Sequence, residues 1–458
     1  MRRWVLGAAA AAAALAAAAA VSASAATFSN TPLIATGTLP AGFTTAPTAN
    51  STGDSEPAIA FANDGTMAVD GLAWIPFQVN VWRGVFGSTP SYFGGLDQLV
   101  PSRGNRLALG DEDADIEFTS AKTMLLADLD VIINPAFNNA QFGVDVARCP
   151  NGVAAGGCTS TVLDQTNADR PWITHHGTTA WVSWHDAASS TLIHVMRSTD
   201  DGVSWHKVAS PITGHGIDTG NATFNNIQGP IVADPNSQYL YDVYLAGERQ
   251  TKCCSAAFNN VYVARSTDGG NSWETHLVFH APALTDLVNI FPSLAVDQTT
   301  GQVYAVWSDA HTVWMSSSVD HGATWAPPRD VSAPAGLTTT LMPWVAARGN
   351  KVDIVYYGST SAQDNPASVW NVYDSQLNSG SLAVSKVSNT LNRVGAVCTN
   401  GSACAGNVNR ELLDLFEVAE DPLSNKAAII YTSSEISTYT APNGTVHKLP
   451  EIVLAFEQ

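Results

Sequence analysis

Aspartates and arginines gather in a few short stretches of this 458-residue chain, each just ahead of an apolar run. Asp113-Ala-Asp-Ile-Glu-Phe118 sets Asp113 and Asp115 at the head of an apolar strand. Asp169-Arg-Pro-Trp172 and Arg410-Glu-Leu-Leu-Asp414 each bring an arginine and an aspartate together. Two carboxyl groups converging on one point can divide the work of acid and base or nucleophile, which is what cleaving an acetal requires. A guanidinium beside them can grip a carboxylate through two parallel hydrogen bonds. Asp113, Asp115, Asp169 and Asp414 are therefore the candidate catalytic acids. Arg170, Arg410, Glu56, Gln228, Asn289, His185 and Tyr357 hold equivalent places ahead of or behind other apolar runs and are the candidate ligand-binding residues. The competing explanation is architectural. Arg–Asp pairs can tie neighbouring units together, and Asp113 with Asp115 can be solvated turn acids or a structural calcium site.

Those stretches recur because a larger pattern recurs. A Pro or Asp precedes a short apolar strand, a turn follows, and a second apolar strand comes after it. Copies begin at Glu56-Pro57, Asp113, Arg170-Pro171, Gly229-Pro230, Phe291-Pro292, Met342-Pro343 and Leu415-Phe416, roughly 50 to 75 residues apart. That spacing accommodates one four-stranded antiparallel unit with its loops. The expectation is an all-β propeller of seven blades, with six as the alternative count. No linker or long amphipathic pattern interrupts it, so residues 26–458 read as one domain. Pro32-Leu-Ile-Ala35 reads as a strand that completes the last blade and closes the ring. In such a ring the segments before each first strand and after each second strand meet at one mouth of the axis. The candidate residues fall in those segments.

A second motif repeats inside the units. Arg197-Ser-Thr-Asp-Asp-Gly-Val-Ser-Trp205 returns as Arg265-Ser-Thr-Asp-Gly-Gly-Asn-Ser-Trp273 and as Ser316-Ser-Ser-Val-Asp-His-Gly-Ala-Thr-Trp325. Asp and Ser cap their own backbone, Gly supplies positive φ, and Trp packs back on the sheet. The motif resembles the Asp box, or BNR repeat, of sialidase-like β-propellers. The chain is similar to secreted bacterial sialidase-family proteins, and Asp169-Arg-Pro-Trp172, Met342-Pro-Trp-Val-Ala-Ala347 and Arg410-x-Leu-x-Asp414 look like recurring elements of that group. The resemblance implies boxes on the outer turns, facing away from the ligand. It also implies a glycan or glycoconjugate partner. No Arg-Ile-Pro element of the exo-sialidase kind occurs here, and the sialidase arginine triad has no residue-by-residue counterpart.

Composition narrows the partners. Asp plus Glu number 40 against 21 Lys plus Arg, for a net charge of −19. Nucleic acids and anionic membranes both need a basic face, so neither is expected. The chain opens with Met1-Arg-Arg-Trp4, an Ala-rich apolar run to Ala20 and a small-residue site at Ala23-Ser-Ala25. This reads as a signal peptide over residues 1–25, a membrane anchor being the alternative, and implies a secreted monomer. Six cysteines suit disulfides in an exported protein. Cys149 with Cys158 and Cys398 with Cys404 flank short loops, leaving the adjacent Cys253 and Cys254 for each other.

Function follows from the resemblance and the paired acids together. The reading is a glycoside hydrolase with its site in the axial funnel. A non-catalytic glycan- or protein-binding propeller is the alternative, and a polysaccharide lyase using Tyr or His as base is a third. Trp172, Trp184 and Trp344 could stack on sugars or fill the space between blades.

Overall fold

The computed structural model describes residues 25–35, 44–46, 53–74, 77–96, 107–133, 140–164, 168–186, 192–212, 226–247, 258–282, 284–400, 404 and 409–458. Most of the signal segment and the Cys253–Cys254 pair lie outside the described residues. The strands form seven antiparallel sheets, each built around a run of four strands. Their innermost strands are Ile59–Phe61, Leu107–Phe118, Ala168–His176, Asn226–Ala233, Ser293–Val296, Thr339–Arg348 and Glu417–Glu420, which define blades 1 to 7. Each innermost strand packs against the next, and the last packs against the first. The molecule is therefore a closed seven-bladed β-propeller.

Closure is made by the start of the chain. Phe28–Leu33 pairs antiparallel with Val446–Glu457, running from Phe28 opposite Glu457 to Leu33 opposite Ile452. It supplies the outermost strand of blade 7. The Tyr431 hydroxyl donates to the Asn30 side chain at 2.6 Å and fixes the strand from within the sheet.

Blades consist of second and third strands that are apolar on both faces, because each sheet is covered by a neighbour on either side. Leu240–Ala246 and Val303–Ser308 are buried along their whole length. The innermost edge poses a different problem. It faces the axis, where its N–H groups have no further strand to pair with. Side chains of the preceding blade accept from them. Ile173 N–H donates to Asp115 at 2.8 Å, Ala233 N–H to the Thr174 hydroxyl at 3.0 Å, and Ile59 N–H to Glu417 at 3.0 Å. The Ser293 hydroxyl receives Val345 N–H in the same way.

The three repeated boxes form one hydrogen-bond network, copied in blades 3, 4 and 5. In the first, the Ser198 hydroxyl donates to Asp200 and accepts from Gly202 N–H, while Asp200 also accepts from Ser204 N–H and the Ser204 hydroxyl. Ser266–Asp268–Gly270–Ser272 and Ser318–Asp320–Gly322–Thr324 repeat every bond. All three lie between a third and a fourth strand. Antiparallel order puts that turn at the end of the blade opposite the mouth. Blade 2 has the Cys149–Cys158 disulfide there instead.

Each box also receives an arginine from the blade before it. Arg148 donates to the Asp201 carbonyl and side chain, Arg197 to the Gly269 carbonyl, and Arg265 to the Asp320 and His321 carbonyls. The arginine that opens each of the first two motifs thus serves the next blade.

The box tryptophans are not equivalent. Trp273 is 9% exposed and donates its indole N–H to the Ala209 carbonyl of blade 3 at 2.9 Å, whereas Trp205 and Trp325 are half-buried. Trp273→Ala is expected to cost about 3–5 kcal/mol of unfolding free energy, and Trp205→Ala less. Ligand affinity of the folded fraction should not change, since the boxes face away from the mouth. Chemical denaturation of both variants checks the order, and a loss of binding without a loss of stability would put the boxes on the wrong face.

Candidate functional site

Backbone geometry at the head of the innermost strands aims side chains at the axis. In blade 3 the pairing with the second strand slips between Asp169 and Trp172, and in blade 6 between Leu341 and Trp344. Each slip contains a proline, which has no N–H to lose to the ladder. The residue before the proline takes the left-handed region in three blades: Glu56 at φ 48°, Arg170 at 42° and Met342 at 54°. A non-glycine residue there carries strain, of order 1–3 kcal/mol. Blade 4 has Gly229 at this place, where an added Cβ would collide with the Pro292 carbonyl of blade 5.

Glu56 and Arg170, so turned, meet at the mouth. The Arg170 guanidinium lies 3.5 Å from both Glu56 and Asp113, and donates to the Ala114 carbonyl at 3.2 Å. From blade 7, Asp414 N–H donates to Glu56 at 2.8 Å, and Arg410 grips the Asp414 carboxylate at 2.8 Å. Blades 7, 1, 2 and 3 thus contribute one contiguous arc of three acids and two guanidiniums. Exposure grades across it. Glu56 and Arg170 side chains are 2% and 5% exposed, Arg410 and Asp414 12% and 16%, and Asp113 21%.

Buried beside this arc are Asp115 and Glu417, on innermost strands, and Asp70, on the second strand of blade 1. Burial, then the neighbouring Asp113, pushes the Glu56 carboxyl well above its ordinary range. Burial likewise raises Asp115 to about 7 and Asp70 to about 8, and lifts Glu417 well above the usual value. Asp414 is raised by burial against the opposing pull of Arg410. Arg170 itself is driven further toward the charged state by Glu56 and Asp113, which outweigh its desolvation.

Beneath this polar layer the axis is filled. Trp172 of blade 3 packs at 5.3 Å against Trp344 of blade 6 and edge-on at 5.5 Å against Phe291 of blade 5. The Arg170 guanidinium sits 4.4 Å above the Trp172 ring. Trp172 and Trp344 therefore plug the ring. Trp184 is also buried, stacked on His194.

The other candidates are placed differently. No ion pair joins Asp169 to Arg170: Asp169 is exposed, while Arg170, at the left-handed turn before Pro171, is buried. Asp115 is spent on Ile173 N–H. Gln228 donates to the Ser183 hydroxyl at 2.6 Å and Asn289 to the Ser308 carbonyl at 3.1 Å, both in the interior. Tyr357 is fully buried, its hydroxyl bonded to both the carbonyl and N–H of Thr432, which ties blade 6 to blade 7. His185 lies opposite Asp169 at the rim of blade 3. The sequence reading missed Arg393, which is buried and holds Glu411 at 2.9 Å, next to Arg410. Cys398–Cys404 closes the loop before that segment. Among the described residues no three metal-binding side chains come together to hold a cation.

No family model matches the chain, and no curated protein matches it. Its fold is similar to solved structures of low identity. A protein of unknown function from Dyadobacter fermentans is 13% identical over 94% of this chain and 99% of its own, with a TM-score of 0.45. The α-L-arabinofuranosidase of Fusarium graminearum in complex with arabinobiose is 14% identical over 72% of this chain and 92% of its own, at 0.46. A Hadza microbial sialidase is 12% identical over 72% of this chain and 66% of its own, at 0.42.

The raised acids carry a consequence for stability. A carboxyl with a higher pKa folded than unfolded stabilises the fold at low pH, and the contribution is lost as pH rises from the unfolded value to the folded one. For Asp115 and Asp70 that window runs from 3.8 to about 7 and about 8. The box aspartates Asp200, Asp268 and Asp320 are shifted down, mainly by hydrogen bonds, and their contribution is lost in the opposite direction, under acid conditions. Melting temperature should therefore peak in mild acid and fall toward pH about 8. Asp70→Asn should flatten part of that fall. A melting temperature that climbs steadily from mild acid to pH about 8 would contradict the assignment.

Proposed function

We propose that this protein is a secreted, single-domain propeller that hydrolyses glycosides at the mouth of its axis. The signal segment 1–25 would direct export, and residues 26–458 would form the working domain. One observation carries the reading. Asp113 and Asp414, from blades 2 and 7, flank the same buried Glu56, Asp113 across Arg170 and Asp414 through its backbone N–H, and are the two most exposed acids of the arc.

In this mechanism Asp414 is the proton donor. Burial pushes its carboxyl up against the pull of Arg410, and its position leaves it partly open to a ligand. Asp113, held by Arg170, is the base or nucleophile. Glu56 touches no substrate. It accepts from Asp414 N–H and lies against Arg170, so it sets the spacing of the two working acids. That spacing decides whether water enters between them or one attacks directly. Arg410 orients Asp414.

A binding propeller without turnover is the second reading. It is favoured by the saturation of the arc, in which Arg410 and Arg170 already engage the acids a reaction would use. The lyase reading gains no support from Tyr357, whose hydroxyl is engaged in the interior.

The test is a screen of the mature protein against chromogenic glycosides and a glycan array, with Asp414→Asn and Asp113→Asn alongside. Hydrolysis predicts turnover in the native chain and a loss of about 10²–10⁴-fold in each variant. Melting should move only a few degrees, about 1–2 kcal/mol in stability terms. Glycan binding with no turnover moves the protein to the second reading. A large fall in melting with normal binding in the folded fraction makes the arc a structural clamp.

A further inference from the structure

The charge arrangement of the mouth selects among sugars; this inference rests on reading the mouth as the glycan site. Two guanidiniums stand in the arc among the described residues, and the protein's own acids hold both. Arg170 lies between Glu56 and Asp113 and over the Trp172 ring, with its side chain 5% exposed. Arg410 is closed onto Asp414, with its side chain 12% exposed. The groups most open to an approaching ligand are consequently the acids Asp113 and Asp414, at 21% and 16%.

A sugar bearing a carboxylate would meet this surface badly. It would have to lose its water against Asp113 and Asp414, or displace one of them from its arginine and leave that acid unpaired. A neutral sugar brings no charge. Its hydroxyls donate directly to the open carboxylate oxygens, in bonds strengthened by the acceptor's charge. The arginines then act on the protein's acids, fixing where they point, rather than on the ligand.

We propose that the mouth takes an uncharged, polyhydroxylated sugar at its innermost position and rejects carboxylate-bearing sugars, sialic and uronic acids alike.

The experiment uses the full mature chain and matched ligand pairs: glucosides against glucuronides, galactosides against galacturonides, and sialosides beside them. Binding is measured by calorimetry at low and high salt. The neutral member of a pair should bind at least about tenfold tighter, with the gap narrowing as salt screens the acids. Asp113→Asn removes one acid from Arg170 and should shrink the gap by about tenfold, and Asp414→Asn should do the same through Arg410. Melting curves establish which variants are folded. A carboxylate-bearing sugar that binds as tightly as its neutral partner overturns the inference and leaves the mouth as a glycan site. An unchanged gap in a folded variant also overturns it. Absence of binding by every glycan to the folded native chain overturns both the inference and the site.

Discussion

Seven unpaired strand edges face one another around the axis, and satisfying them organises the rest of the molecule. A sheet edge in the interior must find acceptors for its N–H groups without a further strand to supply them. The chain answers with side chains from the preceding blade: Asp115, Thr174, Ser293 and Glu417. Two of those four are acids. Carboxyl groups are thus drawn to the axis for reasons of architecture before any ligand is considered. Their burial makes ionisation costly, and Arg170 is the cation that offsets part of that cost.

Function and architecture consequently share residues at the mouth. Asp115 and Glu417 belong to the frame. Asp113, two residues before Asp115 and at a register shift of the same strand, stands where the frame opens to solvent. Glu56 belongs to both, because it accepts a backbone N–H from blade 7 and lies against the arginine of blade 3. The left-handed backbone at Glu56 and Arg170 is what turns these side chains toward the axis. Strain at that point is held by the packing of Trp172, Trp344 and Phe291 below it.

The fold was legible in the sequence because each blade repeats the same local demands. The prolines at 57, 171, 230, 292 and 343 mark the head of five of the seven innermost strands, where a missing N–H costs nothing. The boxes mark the opposite turn. The closing strand was read too late in the chain: Pro32-Leu-Ile-Ala35 shares only Pro32 and Leu33 with Phe28–Leu33. The site was less legible. Its general location followed from blade geometry, and Asp113, Glu56, Arg170, Arg410 and Asp414 do come together. Partners did not follow, because the left-handed turn at Arg170 separates it from its sequence neighbour. Arg170 turns away from Asp169 and finds Glu56, more than a hundred residues earlier. Tyr357 was misjudged for a related reason: a polar residue near the mouth can be used to join two blades. Arg393 carried no pattern at all, since its role depends on a long irregular connection.

The closing strand bears on how the protein folds. Within a blade, contacts join residues close in sequence, so each sheet can form by itself as a local event. Phe28 and Glu457 are separated by almost the whole chain, yet they are neighbours in blade 7. Their meeting carries the largest loop-closure entropy in the molecule and can come only when the other blades already hold the ends together. Ring closure is therefore the last cooperative step. Until it occurs, blade 7 presents an unsatisfied strand edge, open to the same segment of a second molecule. High concentration during folding would then favour exchange of Phe28–Leu33 between chains, a linked dimer in which each ring is completed by the other's first strand.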